Sequence, residues 1–116
     1  MRVLVCGSRH FEDEELMGRV LDGLNLKPGD TIIHGMARGA DRMGGAYAKA
    51  HKISVLEFPA LWDTYGKQAG PIRNTQMLKE GQPELVVAFL ARDSRGTKNM
   101  IDQAEKAGVR VEIIDV

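Results

Sequence analysis

The chain has 116 residues, which is enough for one domain with an ordinary hydrophobic core. Its 16 basic and 16 acidic side chains cancel, and a net charge of zero argues against the broad basic surface that sequence-independent nucleic-acid binding needs. A single cysteine, Cys6, excludes an internal disulfide framework, and no HExxH or CxxC motif indicates a metal site. The start MRVLVCG favours a strand over a signal peptide. We therefore expect a cytoplasmic protein without a membrane segment, a metal or a cofactor.

Short apolar runs alternate with helical patterns in the first half of the chain. Residues 3–5 predict a strand, and the next helix has an apolar stripe at helical spacing, formed by Leu16, Val20, Leu21 and Leu24. The four carboxylates of residues 12–15 lie at its start, where the helix dipole favours negative charge. After a turn at residues 27–30, residues 31–33 predict a second strand. A second helix over about residues 40–51 has one predicted apolar face: Ala40, Met43, Tyr47 and Ala50.

The middle of the chain contains the longest irregular stretch. Residues 53–58 predict a third strand, which Pro59 ends. Residues 60–70 show no clear period and predict a surface loop. Pro71 suits the first turn of a helix that runs to about Glu80.

The last third of the chain predicts a strand, a helix and a strand. Residues 85–90 are fully apolar, which is typical of a central strand. Residues 97–107 predict a helix that Gly108 stops, with an apolar face of Met100, Ile101, Ala104 and Ala107. Residues 109–114 predict a fifth strand.

This alternation predicts one α/β domain over residues 1–116. We expect a Rossmann-like three-layer sandwich with a five-stranded parallel sheet in the order 3-2-1-4-5, and strands that are apolar on both faces. In such sheets, ligands bind beyond the C-terminal ends of the strands, where the strand order reverses. In this order the reversal lies between strands 1 and 4.

The loops expected at that edge are residues 7–11, 34–42 and 91–98, joined by residues 70–74. They are rich in small residues, which let a ligand approach backbone N–H groups, and each leads into a helix N-terminus, which favours anions. They also hold seven of the 16 basic side chains: Arg9, Arg38, Arg42, Arg73, Arg92, Arg95 and Lys98. These features predict a small anionic ligand such as a phosphate, nucleotide or phosphosugar.

Several of these residues have a second interpretation. The chain contains neither a GxGxxG nor a P-loop motif. Asp41 and Thr97 either border the ligand or only cap their helices. His34 and Cys6 are expected to pack in the core rather than to react. Trp62 and Tyr65 either stack on a base or anchor their loop.

Four segments together resemble a known family. VCGSRHF, HGMARGADRMGGAYA, AGPIRNTQML and RGTKNMIDQAEKAGVRV look like the YspA-type, cpYpsA-related proteins of the SLOG superfamily, which are small Rossmann-like proteins of bacteria and their phages. The resemblance covers nearly the whole chain, and GxARGAD and GPIRN are specific as a pair. The superfamily includes the DNA-processing protein DprA, the LOG phosphoribohydrolases and sensors attached to antiviral effectors. The resemblance implies a nucleotide-type ligand and self-association into a dimer or larger homo-oligomer.

The catalytic motif of the LOG enzymes is matched only in part. These enzymes use a motif like PGGxGTxxE, whose Glu is catalytic, together with an Arg on the preceding helix. Arg73 matches that Arg and residues 96–97 match the GT, but residues 92–95 replace the Pro-Gly-Gly. The Glu position falls on Met100, which cannot act as an acid, base or nucleophile. Asp41 is then the carboxylate that remains for cleaving an N-glycosidic bond.

Three functions follow from the residues and the resemblance. The first is a sensor or sequestering protein for a nucleotide or an ADP-ribose-like signal. In it, N–H groups near Gly7 and Gly96 take phosphate and Asp41 accepts ribose hydroxyls. The alternatives are a LOG-type nucleotide N-glycosidase with Asp41 as catalytic residue, and a DprA-type single-strand binder, which the 5% aromatic content disfavours. The predicted ligand-binding residues are Gly7, Ser8, Arg9, Gly35, Ala37, Arg38, Gly39, Asp41, Arg73, Asn74, Ser94, Gly96, Thr97 and Asn99.

Overall fold

Five strands pair into one parallel sheet in the computed structural model, which describes residues 1–116. The sheet order is β3-β2-β1-β4-β5, so the predicted order is confirmed. The reversal lies between β1 and β4, where Gly7 pairs with Phe89 at the C-terminal edge. The strands are β1 (Arg2–Gly7), β2 (Thr31–His34), β3 (Ser54–Glu57), β4 (Leu85–Leu90) and β5 (Arg110–Asp115).

The helices fall between the strands as the alternation predicts. None of them is long and apolar enough to cross a membrane. A 3₁₀ turn at Gly66–Gln68 joins α3 to α4, and a π-helical turn at Met77–Gly81 continues α4. The helices are α1 (Glu14–Asp22), α2 (Ala40–Ala50), α3 (Trp62–Tyr65), α4 (Ala69–Gln76) and α5 (Arg95–Lys106).

Two separate cores lie on the two faces of the sheet. Because side chains alternate along a strand, Val3 and Val5 of β1 enter one core with α1 and α2. Leu4 and Cys6 enter the other, with Met77 of the π-helical turn and with α5. The prediction that Cys6 packs in the core is confirmed. This arrangement is the expected three-layer sandwich.

The strands are buried on both faces only in the centre of the sheet. All of β4 except Leu90 is buried, whereas the edge strands β3 and β5 contain only exposed and half-buried residues. The expectation of apolar strands on both faces is therefore wrong for the two edges. An edge strand has one neighbour and less helix over it, so it tolerates polar residues.

The segment at residues 60–70 is not the irregular loop that the sequence predicts. It contains α3 and the 3₁₀ turn, and α4 begins at Ala69, two residues before Pro71. A one-turn helix is too short to show a hydrophobic period. Pro71 still lies in the first turn of α4, where a missing N–H breaks no helical hydrogen bond.

The buried face of α2 differs from the predicted one. Ala50 is exposed, whereas Gly44 and Gly45 are buried. A Cβ atom on Gly44 would lie 2.9 Å from Cγ1 of Val5, and one on Gly45 would lie 2.7 Å from Nε2 of His34. The two glycines thus allow α2 to approach the sheet closely, a contact that a search for apolar side chains does not reveal.

Candidate functional site

A cavity of about 290 Å³ lies at the C-terminal edge of the sheet, beside the β1–β4 reversal. This space, the inner cavity, is where the topology predicts a ligand. It is lined by residues 6–10, Ala37, Asp41, residues 73–74, Met77, residues 93–97 and Met100. The first loop, the start of α2, α4 and the start of α5 therefore meet at one place.

The start of α5 contributes two backbone N–H groups that have no acceptor in the protein. Ser94 is the N-cap, and its hydroxyl accepts a hydrogen bond from the N–H of Ala91 at 3.2 Å. The first bond of α5 runs from Lys98 N to Ser94 O, and the N–H groups of Gly96 and Thr97 donate to no protein atom. Both residues line the inner cavity. Unpaired N–H groups at a helix start, together with the helix dipole, favour an anion.

The Arg73 guanidinium is held at the cavity wall by backbone and side-chain acceptors. Its Nη1 donates to the carbonyl of Gly35 at 2.5 Å, and its Nε donates to Oδ1 of Asn74 at 3.1 Å. Any side chain at Gly35 would overlap this guanidinium, so the glycine makes the contact possible. Burial lowers the pKa of Arg73, and the nearby Asp41 opposes that shift. Arg73 remains a fixed positive charge, because an arginine pKa lies far above neutrality.

Asn74 links Arg73 to α5 through a chain of amides. Its Nδ2 donates to Gly96 O at 3.2 Å and to Oδ1 of Asn99 at 3.0 Å. Nε2 of Gln103 donates to the same Asn99 oxygen at 2.8 Å. Both N–H bonds of the Asn74 amide are therefore used inside the protein, and the side chain fixes Arg73 and the start of α5.

Asp41 is a buried carboxylate at the edge of the inner cavity. Asp41 is the second residue of α2 and is 4% exposed. Its Oδ2 accepts a hydrogen bond from Gly35 N at 2.8 Å. Burial raises its pKa to about 6, and this effect outweighs Arg73 and the N–H groups of Gly35, Ala37 and Asp41 itself, which lower the pKa. Asp41 thus fastens the β2–α2 loop and carries a charge that is costly to bury.

A larger groove of about 750 Å³ adjoins the inner cavity and shares Arg9, Ala37, Arg73, Arg95 and Gly96 with it. We call it the outer groove. It is lined by Arg9, residues 35–38, Arg42, residues 59–60, Trp62, Lys67, residues 70–71, Arg73, residues 95–96 and Asn99. It has six cationic side chains and no acidic one: Arg9, Arg38, Arg42, Lys67, Arg73 and Arg95. None of the six forms an ion pair with a carboxylate.

The predicted site residues fall into three groups by position. Most of them line the inner cavity, and Gly35, Arg38 and Asn99 line the outer groove instead. Gly39 lines neither space. It has a φ of +78° and sits so close to Ser8 O that a Cβ there would overlap it, so it holds the start of α2 against the first loop.

Two predicted basic residues and one predicted helix start lie outside the site. Arg92 and Lys98 line neither space, and Nζ of Lys98 donates to the carbonyl of Arg92 at 2.8 Å. The loop after β1 does not bring a helix start to the cavity, because α1 begins only at Glu14 with Asp13 as its N-cap. The acidic first turn of α1 also makes it unsuited to bind an anion.

Lys67 lines the outer groove and is absent from the predicted site residues. Lys67 lies in the 3₁₀ turn that was predicted to be loop, and no motif or period singles it out. Trp62, for which two interpretations were open, lines the outer groove, whereas Tyr65 lines neither space. Both side chains are exposed.

His34 is a packed residue, as predicted. Its ring is buried, and Nδ1 accepts a hydrogen bond from Met36 N at 3.0 Å. Its Nε2 lies 3.4 Å from Oε2 of Glu57. Burial lowers the pKa of the ring, so His34 is neutral at pH 7 and holds the end of β2. No three His, Cys, Asp or Glu side chains come together as a metal-binding group.

Residues 1–65 match the family described as YAcAr, the YspA, cpYpsA-related SLOG family. The chain belongs to this family. The chain is also similar to the Gene 61 protein of Mycobacterium phage D29, at 34% identity over 117 residues that cover 95% of this chain and 93% of the phage protein. The resemblance found in the motifs is thus confirmed. Membership of the SLOG family suggests a nucleotide-related role, while homo-oligomerisation and a cytoplasmic location stay predictions.

Proposed function

We propose that this SLOG protein binds a phosphate-bearing nucleotide or nucleotide-derived signal in the inner cavity, as a sensor or a sequestering protein. One observation carries the proposal. The free N–H groups of Gly96 and Thr97 line the same cavity as the unpaired cations Arg9, Arg73 and Arg95. A phosphate supplies acceptor oxygens for the two N–H groups and negative charge for the three cations, none of which forms an ion pair in the protein.

The other polar groups of the cavity suit the rest of a nucleotide. Asp41 accepts a hydrogen bond from Gly35 N at 2.8 Å. A carboxylate has about four lone-pair positions, so it can also accept a hydrogen bond from a ribose hydroxyl. Asn74 has no free N–H, and we assign it to holding Arg73 rather than to contacting the ligand.

Calorimetric titration with inorganic phosphate, AMP, ADP and ADP-ribose tests the proposal. A hydrogen bond to a charged group contributes about 1.5–3 kcal/mol, so we expect Arg95→Ala to weaken binding by roughly tenfold or more. The matched control is Arg92→Ala, which removes the same kind of side chain three residues earlier, from the loop before α5 and from outside both spaces. Equal effects of the two variants, or no binding of any probe, would contradict the proposal.

A second candidate, hydrolysis of an N-glycosidic bond, is favoured by one observation. The Asp41 carboxyl has a pKa of about 6 and borders the inner cavity, which suits a group that exchanges protons near neutral pH. Mass analysis after incubation with nucleoside monophosphates separates the two functions. Intact nucleotide supports binding alone. Release of free base that Asp41→Asn abolishes supports hydrolysis.

A further inference from the structure

We infer that the ligand carries two separate anionic groups, the first in the inner cavity and the second in the outer groove. The ligand class is therefore a dinucleotide-like molecule, in which a nucleotide phosphate is followed by a second phosphate and a base. This inference rests on the proposed function and names the ligand class of that site.

The charge of the outer groove exceeds what one phosphate needs. Arg38, Arg42 and Lys67 line the outer groove and not the inner cavity. They add to the three arginines that both spaces share. Six of the 16 basic side chains thus lie along this groove, which leaves ten basic against 16 acidic side chains on the rest of the chain. The positive charge is concentrated at one place on a protein of net charge zero.

The six cationic side chains of the outer groove repel each other, and proteins commonly offset such repulsion with carboxylates. Here no carboxylate lines the groove, and Nε of Arg42 donates instead to the carbonyl of Met36 at 3.2 Å. A bound polyanion would remove this repulsion and would also be attracted from solution by the field of the groove. The groove volume of about 750 Å³ lies within the usual range of about 300–1,000 Å³ for small-ligand sites. A phosphate held in the inner cavity alone would leave this volume unfilled.

Trp62 adds a surface for a base to the outer groove. The residue is 53% exposed, which is unusual for the residue type with the largest apolar surface. Cη2 of its ring is close to Gly70, where a Cβ atom would lie 3.5 Å away, so this edge of the ring contacts α4 while much of the residue stays accessible. Aromatic rings stack on any base, and Arg38 and Lys67 lie in the same groove to take its phosphate.

The junction of the two spaces explains how one molecule reaches both. Arg9, Arg73 and Arg95 line the inner cavity and the outer groove. A ligand that extends from the free N–H groups of Gly96 and Thr97 toward Trp62 passes these three side chains. Its two anionic groups therefore contact a continuous cationic wall.

The test compares AMP with two probes that carry two phosphate groups, ADP-ribose and the linear dinucleotide pApA, by calorimetric titration at one salt concentration. We expect pApA, whose two phosphates are separated by a nucleoside, to bind about tenfold or more tightly than AMP. Tighter binding of ADP-ribose alone, whose two phosphates are adjacent, would refute the separation of the two anionic groups. The double variant Arg38→Ala/Lys67→Ala should remove the advantage of pApA and leave the affinity for AMP unchanged. All the substituted side chains in this test and its control are exposed, so the folds should be retained. The control Lys79→Ala/Arg92→Ala removes the same charge from outside the groove and should change neither affinity.

The outcomes separate this inference from the proposed function. If AMP binds and depends on Arg95, but neither two-phosphate probe binds more tightly, the inference is overturned and the proposed function stands. If pApA binds through Arg38 and Lys67 while AMP does not bind, the inner-cavity proposal fails, and with it the inference that one ligand spans both spaces. Tighter binding of a 20-nucleotide single strand than of pApA, with a steep salt dependence, would overturn the small-ligand class. Trp62→Ala should weaken pApA binding and leave inorganic pyrophosphate unaffected, and an equal loss for both would refute the stacking role.

Discussion

Replacing Asp41 with asparagine should stabilise the protein at neutral pH. The carboxylate is buried, and the compensating groups, Arg73 and the N–H of Gly35, do not fully offset the cost of removing its charge from water. An asparagine oxygen can still accept from Gly35 N, so the loop contact is retained without the charge. The expected effect is therefore electrostatic and depends on pH.

The magnitude follows from the pKa of Asp41, which is about 6 in the folded protein against a model-compound value of 3.8. Between these two pH values the folded protein holds a proton that the unfolded chain has released. The free energy of unfolding therefore falls as the pH rises through this window. At 1.36 kcal/mol per pKa unit, the ionised carboxylate destabilises the wild type by about 3 kcal/mol above pH 6, relative to acidic pH. Asp41→Asn lacks this contribution at every pH.

Urea unfolding of both proteins at several pH values measures the effect. The stability difference between Asp41→Asn and wild type should grow by about 3 kcal/mol between about pH 3.5 and pH 7.5, or on the order of 10 °C in melting temperature. Other groups titrate in both proteins and largely cancel, among them His34. Asp93→Asn is the control, because Asp93 also lines the inner cavity but is exposed, and it should change stability by less than about 0.5 kcal/mol. A difference between Asp41→Asn and wild type that stays constant over this range would refute the reasoning.

Three further substitutions test contacts that hold the site, each by urea unfolding. Gly39→Ala should lower the free energy of unfolding by about 3 kcal/mol, because the φ of +78° and the nearby Ser8 O both oppose a side chain. Gly18→Ala is the control. Gly18 lies in α1 and its Cβ would have no atom within 4 Å, so this substitution should leave stability unchanged or raise it. Asn74→Ala should cost about 2 kcal/mol, because it leaves Arg73 Nε without an acceptor; an effect below about 0.5 kcal/mol would argue against the amide chain. Asp13→Ala removes the N-cap hydrogen bond from Leu16 N and should lower the free energy of unfolding by about 1 kcal/mol. An unchanged stability would show that this cap does not stabilise α1.

The sheet could be predicted from the sequence because strands that are buried on both faces are continuous apolar runs. The apolar runs at residues 3–5 and 85–90 correspond to β1 and β4, the two strands at the reversal. Helix faces were harder to predict, because α2 packs through Gly44 and Gly45, which no hydrophobic scale marks as core. The α3 segment was missed because a helix of four residues has no period to read.

The position of the inner cavity was predictable from the sequence, whereas the contacts among the side chains that line it were only partly so. The rule that ligands bind at the reversal point selects the loops around Gly7, Asp41 and Gly96, and these loops do meet there. The amide chain from Asn74 through Asn99 to Gln103 was not predictable, since it depends on how α4 and α5 are rotated against each other. Lys67 was not predicted either, because its position depends on the 3₁₀ turn at Gly66–Gln68, for which the sequence has no recognisable pattern.

Cys6, the single cysteine of the chain, lines the inner cavity. The rate at which its thiol is alkylated should therefore report how often the cavity opens. Cys6 is 6% exposed, and burial raises the pKa of its thiol, so it is unreactive while the floor of the cavity is closed. Because Cys6 packs in one core with Met77 and Met100, alkylation by a thiol reagent should require a local opening of this packing. A ligand in the inner cavity, which Met77 and Met100 also line, should slow this labelling, so ligand binding can be followed by mass spectrometry without an engineered probe.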